Sequence, residues 1–350
     1  YFRINFNIIK YFLFFILYLF AITLLNNQNY TDNQLLVVII KSFRYSILLL
    51  VFPLYYYSIY LFKNETVHIK LLIHGYVISL IFSIIHLYIY PIPIIVTDRL
   101  SFFGPYIIII NLFVVLIFSK SSLQLGIYKK PVIIFLILLG IFFITITEKR
   151  VILLGIIVSV SYIFLHYRLI NFKSIFAIFI IFLSVIFIYK SSAPEVVGEY
   201  STDALSQKYS NVLERYELDR IQNIDRSSAE RLAKIIFSYE LFLESPLYGS
   251  GYLSTLYKED YLPDSGMQIL IEFGVIGTFI MQLPFLIIWI KSSKILRRKK
   301  NEIFIVTWRA TYLSLIFMSS AANVFFNPSL LILFMALTAI AVYRINFNKV

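Results

Sequence analysis

The sequence contains no cysteine among its 350 residues. This absence excludes a disulfide framework, a thiolate metal site and a cysteine nucleophile. Histidine is also scarce, and the four histidines do not have the spacing of metal ligands. They are His68, His74, His86 and His166. We therefore expect neither a metal site nor a cofactor.

Charged residues are sparse, at 14% of the chain, whereas apolar residues make up 60% of it. A soluble domain with this composition would present too few polar groups to stay dispersed in water. The mean hydropathy is +0.83, and apolar runs of membrane length recur along the chain. We therefore predict an all-α, multi-pass membrane protein, a transmembrane helical bundle with about ten spans in a range of roughly nine to twelve.

The apolar runs divide the chain into three parts. Residues 1–189 hold the first seven predicted spans, residues 190–265 form one long polar segment, and residues 266–350 hold the last three spans. The predicted spans cover residues 9–25, 45–62, 71–90, 105–119, 132–147, 151–167, 174–189, 266–290, 303–322 and 329–343. The chain is thus predicted to be one bundle with one elaborated loop.

The basic residues predict how the chain is oriented across the membrane. Seventeen of the 31 lysines and arginines fall on one side, whereas the short loops of the other side hold Arg99, Lys149 and Arg150. Because short cytoplasmic loops are enriched in basic residues, we place both termini in the cytoplasm and residues 190–265 outside. This outer segment carries 13 of the 19 acidic residues and only eight basic ones, so we expect no nucleic-acid partner.

The long outer segment contains one predicted amphipathic helix near residues 227–244. Ser227 and Glu230 fit a capping box, in which each side chain bonds the backbone N–H of the other residue. Apolar residues follow at helical spacing, and Pro246 and Gly249 end the run. These apolar residues are Leu232, Ile235, Ile236, Tyr239 and Leu243. We expect this helix to lie against the outer membrane surface or to cap the bundle.

Arginines near the outer surface are candidate phosphate ligands. Arg150 ends a very short connection between two spans, and Arg231 lies on the amphipathic helix with Arg226 as a supporting residue. Arg99, in another outer loop, is a third candidate. Arginine binds phosphate through two parallel hydrogen bonds and keeps its charge, so a pair of arginines suits a pyrophosphate. The alternative for each is an ordinary loop charge or an arginine that reaches the lipid headgroups.

Three polar side chains descend the span that follows the outer segment. Asp264, Gln268 and Glu272 recur every fourth residue and therefore share one helix face. Asp264 is a candidate catalytic residue, and a simple helix N-cap is its alternative role. Glu272 is the second catalytic candidate, because a charge near a span centre costs about 2.5 to 3.5 kcal/mol and therefore needs compensation.

The compensation for Glu272 has three possible forms. The carboxylate bonds Gln268, which is its supporting residue, or it is protonated, or it faces a water-filled cavity. An ion pair with Arg309 of the next span is rejected, because the two lie roughly 12 Å apart in depth. We expect Arg309 to extend toward the inner headgroups instead.

These residues resemble the motifs of the O-antigen polymerase and ligase superfamily. The overall layout is similar too, with many spans and one long outer loop near the C-terminal third of the chain. The resemblance covers roughly residues 95–290. The matching motifs are Thr147 to Arg150 at an outer turn, an arginine opening an amphipathic helix that runs into residues 245–251, Asp264-Ser265-Gly266, and residues 272–277.

The resemblance implies a bacterial glycosyltransferase of the cytoplasmic membrane that needs no metal or cofactor. Its substrates would be polyprenyl-pyrophosphate-linked oligosaccharides, joined at the outer face of the lipid bilayer. Arg150 and Arg231 would bind the pyrophosphate of the donor, and Asp264 would act on the acceptor hydroxyl as a base or orienting group. A flippase and a chain-length regulator are the implied protein partners.

Two alternative functions differ from a polymerase in chemistry or class. In the ligase branch, which transfers finished glycan to another acceptor, a histidine begins the span after the long loop, whereas this chain has Pro263-Asp264. A flippase or other transporter would need polar groups in several spans, and here they concentrate at the outer surface. We therefore expect a polymerase of lipid-linked repeat units.

Overall fold

A computed structural model describes residues 6–62, 65–89, 105–119, 129–146, 150–169, 226–259, 267–319, 325 and 327–347. Within these ranges the chain is helical and has no strand, which confirms the predicted all-α class. The helices are α1 (Phe6–Leu25), α2 (Asp32–Phe62), α3 (Glu65–Ile89), α4 (Tyr106–Phe118), α5 (Lys130–Ile146), α6 (Arg150–His166), α7 (Arg226–Glu244), α8 (Ser254–Glu259), α9 (Met267–Arg298), α10 (Ile303–Ser319) and α11 (Pro328–Phe347). A short 3-10 helix, Asn27–Asn29, joins α1 to α2. The predicted span 174–189 lies outside the described residues.

Four of the described helices are long and apolar enough to cross a membrane. Shorter apolar helices occur in α3, α4, α5, α6 and α10. Helices of this length and composition are typical of a membrane protein. The four long segments are Ile8–Leu25, Asp32–Ile59, Met267–Arg298 and Pro328–Asn346.

Among the helices that extend beyond the spans predicted from hydropathy, α2 and α9 do so by the most residues. Helix α2 begins at Asp32, although the predicted span begins at residue 45. Lys41 and Arg44 interrupt the apolar run, but both residue types are good helix formers, so the helix continues through them. Helix α9 ends at Arg298 rather than at residue 290, because basic residues in its last turn interact favourably with the helix C-terminus.

The chain divides into two compact units, each held together by its own packing. The first unit comprises Tyr1–Leu13, Phe43–Ile180 and Gln282–Val350, and the second comprises Phe14–Ser42 and Ile181–Met281. Helices α1, α2 and α9 contribute residues to both units. The second unit also contains α7 and α8.

Helix α10 is central to the first unit, where it packs against α4, α6 and α11. Gly155 of α6 permits close packing, because a Cβ atom there would lie 2.5 Å from the Met318 sulfur. The Ser314 hydroxyl donates to the Gly155 carbonyl at 2.8 Å. The buried Trp308 donates its indole N–H to the Thr338 hydroxyl at 2.9 Å. Small residues and buried hydroxyl bonds of this kind are what hold helices together where lipid replaces water.

Arg309 lies within α10 of the first unit. Its guanidinium group donates to the Ser293 hydroxyl at 2.6 Å and stacks 3.9 Å from the ring centre of Trp289. The sequence predicts that this side chain extends toward the inner headgroups. In the structure, stacking on an indole ring and a hydrogen bond accommodate its charge.

The second unit has an aromatic centre around Phe273, which has no exposed surface. The Phe15 ring of α1 meets the Phe273 ring edge-on with the centroids 5.5 Å apart. The Tyr252 ring stacks on the same residue at 6.2 Å. These contacts hold α1 and the chain before α8 against the first half of α9.

Candidate functional site

Helix α9 is interrupted at Gly274. The backbone of this residue has φ 64° and ψ −175°, which is far from helical geometry. This conformation is accessible essentially only to glycine, because a Cβ atom would clash with the backbone. The helix therefore consists of two parts, one before and one after Gly274.

At the end of the first part, two backbone carbonyls accept hydrogen bonds from the segment that follows α7 instead of from the helix itself. The N–H of Ser250 donates to the carbonyl of Ile271 at 2.9 Å, and the N–H of Gly251 donates to that of Glu272 at 3.0 Å. Such bonds are required, because leaving a buried backbone group unpaired costs about 1 to 3 kcal/mol. The interruption is thus compensated by one specific neighbouring segment.

The first N–H groups of the second helix part are paired in the same way. The N–H of Val275 donates to the Pro246 carbonyl at 2.9 Å, and the N–H of Ile276 donates to the Leu247 carbonyl at 3.1 Å. Residues 246–251 and 271–276 therefore exchange four backbone hydrogen bonds, which run in both directions. We call these two segments together the backbone clasp.

Two glycines allow the segments of the backbone clasp to approach each other. Gly249 has φ 79°, and a Cβ atom there would lie 2.4 Å from the Glu272 carbonyl oxygen. A Cβ atom on Gly274 would lie 2.3 Å from the Leu247 carbonyl oxygen. Any other residue at either position would therefore combine an unfavourable φ with an overlap against backbone atoms.

Tyr18 of α1 supports the backbone clasp from the side. Its hydroxyl lies 2.9 Å from the carbonyl oxygens of both Tyr248 and Phe273, one on each segment. A second contact comes from Asn29, whose side-chain amide donates to the Ser250 carbonyl at 2.9 Å. The residues around the end of α1 thus fix the backbone clasp through side chains.

Replacing Tyr18 by phenylalanine is expected to lower the stability of the protein by about 1 kcal/mol, because the carbonyls of Tyr248 and Phe273 lose their shared donor. The measurement is the thermal unfolding midpoint in detergent. The matched control is Tyr239→Phe, since the Tyr239 side chain is 53% exposed. Equal midpoints for the two variants would contradict the supporting role of the Tyr18 hydroxyl.

Glu272 lies beside the break and has no exposed surface. Its Oε1 atom accepts a hydrogen bond from the Gln268 side-chain amide at 2.9 Å and from the Thr255 hydroxyl at 3.3 Å. The backbone N–H of Leu253 also faces the carboxylate. Of the three forms of compensation predicted from the sequence, the structure shows the bond to Gln268.

The second carboxylate oxygen of Glu272 is different. Within the part of the chain that the structure describes, Oε2 is buried and has no hydrogen-bond partner. A buried carboxyl oxygen without a partner is costly, and such groups concentrate at functional sites. Oε2 therefore marks Glu272 as a candidate functional residue.

Tyr30 is a polar neighbour of Glu272 that lies in the connection between α1 and α2. Its hydroxyl donates to the Tyr252 carbonyl at 3.0 Å. Burial raises the pKa of the Tyr30 phenol, and the nearby Glu272 carboxylate raises this pKa further. Tyr30 consequently remains a hydrogen-bond donor at physiological pH.

Comparison with protein-family models, with curated proteins and with solved structures finds no match for the chain. The assignment of a site therefore depends on the geometry of these residues. That geometry combines a buried carboxylate, an interrupted helix and a neighbouring loop in one unit.

The residues that the sequence predicted as a site are not all described. Arg99 and Asp264 lie outside the described residues. Arg150 is the first residue of α6 in the first unit, whereas Arg226 is the first residue of α7 in the second unit. Arg231 lies further along α7. Of the predicted site, Glu272 and Gln268 are the pair whose contact the structure shows.

Helix α7 occupies Arg226–Glu244, where the sequence predicts an amphipathic helix. Three residues of the predicted apolar stripe are more than half exposed, namely Ile235, Tyr239 and Leu243. The face that packs within the unit carries Ser238 and Leu241, which are 2% and 7% exposed. An apolar stripe turned away from the protein is typical of a helix at a membrane surface.

Several residues of the site could not be identified from the sequence. Thr255 and Leu253 both reach Glu272, and Leu253 adopts a positive φ of 59° immediately before α8. The available signal was the pair of glycines at 249 and 251, since closely spaced glycines mark tight backbone turns. Within the described residues, no group of three or more His, Cys, Asp or Glu side chains could hold a metal ion.

Proposed function

We propose that this protein is a membrane glycosyltransferase that joins polyprenyl-pyrophosphate-linked oligosaccharide repeat units into a polysaccharide. The observation that carries the proposal is the Glu272 carboxylate at the break of α9, with one buried oxygen that no described residue binds. A carboxylate held by one oxygen, with the other oxygen unpaired among the described residues, suits the removal of a proton from a sugar hydroxyl. The resemblance of the sequence motifs supplies the class of substrate.

The proposed topology follows from the charge distribution. The chain would cross the bacterial cytoplasmic membrane about ten times, with both termini in the cytoplasm and residues 190–265 outside. The reaction would then take place at the outer face, near the start of α9. The four long apolar helices and the exposed apolar stripe of α7 support a position in the membrane.

The proposed reaction is a direct displacement at the anomeric carbon of the donor. The acceptor hydroxyl forms the new glycosidic bond as the bond from the anomeric carbon to the pyrophosphate oxygen breaks. The hydroxyl proton passes to a carboxylate, Asp264 or Glu272, and polyprenyl pyrophosphate leaves. Arg150 and Arg231 would stabilise the negative charge that develops on the leaving group.

One assay tests this function directly. Purified protein in lipid vesicles receives lipid-linked repeat units without any nucleotide sugar, and the products are separated on a gel. A ladder of increasing length is the expected result. Transfer of one glycan to a second acceptor would indicate a ligase, and the absence of any new glycosidic bond would overturn the proposal.

A transporter of lipid-linked glycans is the second candidate, and one observation favours it. Interrupted helices with nearby carboxylates occur at the substrate and ion sites of secondary transporters. Helix α9 has such a break at Gly274 with Glu272 beside it. The same vesicles distinguish the two functions, because a transporter would move intact substrate across the bilayer and leave its chain length unchanged.

Glu272→Gln is expected to reduce polymerisation by about a hundredfold or more, because the amide cannot take up a proton. The fold is expected to persist, since a glutamine oxygen still accepts from Gln268 and Thr255. The rate of ladder formation and the thermal midpoint are measured together. Glu244→Gln, at an exposed position of α7, is the matched control. Full activity of Glu272→Gln would reduce Glu272 to a structural residue.

A further inference from the structure

The second unit contains a cavity of about 670 Å³ beside the backbone clasp. Its walls are the C-terminal end of α1 and the residues between α7 and Gly249. Most of the side chains that line it are apolar, including Ala21, Ile22, Leu25 and Leu247. Its polar groups are few, so water inside it would have few partners. A cavity of this composition suits a hydrocarbon ligand.

The surface around this cavity is apolar as well. Leu25 and Leu247, which line the cavity, are 76% and 55% exposed. Tyr248, another lining residue, is 59% exposed, and Leu243 of the α7 stripe is 54% exposed. The residues that line the cavity therefore follow directly after the α7 stripe that we assign to the lipid surface, and both surfaces are apolar. A chain from the bilayer can enter it without crossing a polar barrier.

The cavity also shares its wall with the candidate site. Gly249 lines the cavity. Because glycine has no side chain, no Cβ atom of residue 249 separates the cavity from the Glu272 carbonyl. Tyr18 lines the cavity and donates to the Phe273 carbonyl, next to Glu272. A hydrocarbon chain in the cavity would therefore lie one backbone layer away from the segment that carries Glu272.

We propose that this cavity binds the isoprenyl units nearest the pyrophosphate of the lipid-linked substrate. The proposal rests on the proposed function, and it assigns the lipid part of the substrate to named residues. A phospholipid acyl chain is the other hydrocarbon chain that a membrane offers, but a phospholipid is not a reactant in the proposed reaction beside Glu272. In the proposed reaction the head group of the substrate is beside Glu272, so its first isoprenyl units would lie next to the backbone clasp and this cavity.

The probe for this experiment is a polyisoprenyl pyrophosphate without sugar, carrying a photoreactive diazirine on its first isoprene units. It binds without turnover, so labelling is measured independently of polymerisation. A phosphatidylglycerol with a diazirine in its acyl chain is the comparison probe. Peptide mapping is expected to place the polyisoprenyl label within residues 18–26 or 245–249.

The test variant is Ala21→Trp, which fills the cavity with a large side chain. Labelling by the polyisoprenyl probe is expected to fall about tenfold, as for other steric losses in apolar pockets. Leu54→Trp, at a 71% exposed position of α2 outside the cavity, is expected to label like the native protein. Leu247→Trp serves as a second cavity variant if Ala21→Trp lowers the thermal midpoint.

The outcomes test lipid binding in the cavity separately from polymerisation. Unchanged labelling in both cavity variants, or mapping of the label elsewhere, overturns the proposal even if the native protein makes a polymer ladder. Stronger cavity labelling by phosphatidylglycerol than by the polyisoprenyl probe also overturns it, because the occupant would then be a bulk lipid. Specific polyisoprenyl labelling without any ladder retains the binding site and removes the polymerase function.

Discussion

Gly274→Ala is expected to destabilise the protein by about 3 kcal/mol or more, or to prevent its folding. The expected sign is opposite to that for an ordinary helix, where alanine is better than glycine by about 1 kcal/mol. The reason is local, because φ is 64° and the new Cβ atom would lie 2.3 Å from the Leu247 carbonyl oxygen. Relieving this overlap separates the two segments of the backbone clasp and leaves polar backbone groups unpaired.

The measurement is the thermal midpoint of the protein in detergent, together with the yield of monodisperse protein. Gly75→Ala is the matched control, because a Cβ atom on Gly75 meets nothing within 4 Å. Gly249→Ala is expected to behave like Gly274→Ala, since its Cβ atom would lie 2.4 Å from the Glu272 carbonyl oxygen. If Gly274→Ala were as stable as Gly75→Ala, α9 would be a continuous helix and the backbone clasp would not exist.

Most of the helices could be predicted because each needs only its own apolar run. Nine of the ten predicted spans correspond to described helices, and the tenth lies outside the described residues. Hydropathy misplaced the start of α2, since charged residues such as Lys41 lower the window average without ending a helix. Helix ends depend on capping and packing, which an average over a window does not contain.

The break in α9 could not be predicted in the same way. Glycines in apolar helices usually allow close helix packing, and Gly277 does this, because a Cβ atom there would lie 2.3 Å from the Tyr18 ring. Gly274 instead interrupts the helix. Its conformation is stable only because Pro246 and Leu247, more than 25 residues earlier, accept the freed N–H groups. Such a pairing depends on tertiary contacts, which the local sequence does not specify.

The candidate site shows the same division between local and distant contacts. Gln268 and Glu272 are four residues apart on one helix, so their contact follows from helical periodicity. Thr255 is 17 residues from Glu272 and belongs to α8, which the sequence did not predict. The acids and amides of one helix face were thus visible in the sequence, whereas the residues that enclose them were not.

The proposed role of Arg150 and Arg231 in binding pyrophosphate depends on the resemblance of the sequence motifs. Arg150 and Arg231 belong to different units, and each lies on a helix whose bounds the structure gives. A pyrophosphate offers two phosphate groups, and each can take one guanidinium through paired hydrogen bonds. In the proposed reaction each arginine would therefore be individually necessary.

Arg150→Ala and Arg231→Ala are each expected to lower the rate of ladder formation by about a hundredfold or more, because charge on the leaving pyrophosphate would lose a preorganised donor. Lysine at either position is expected to restore little, since an ammonium group keeps the charge but lacks the two-pronged geometry. Arg44→Ala, at an exposed position of α2, is the control for loss of one positive charge. Normal rates in both alanine variants, with membrane insertion intact, would remove the arginines from the reaction and leave the charge on the pyrophosphate without its proposed stabilising groups.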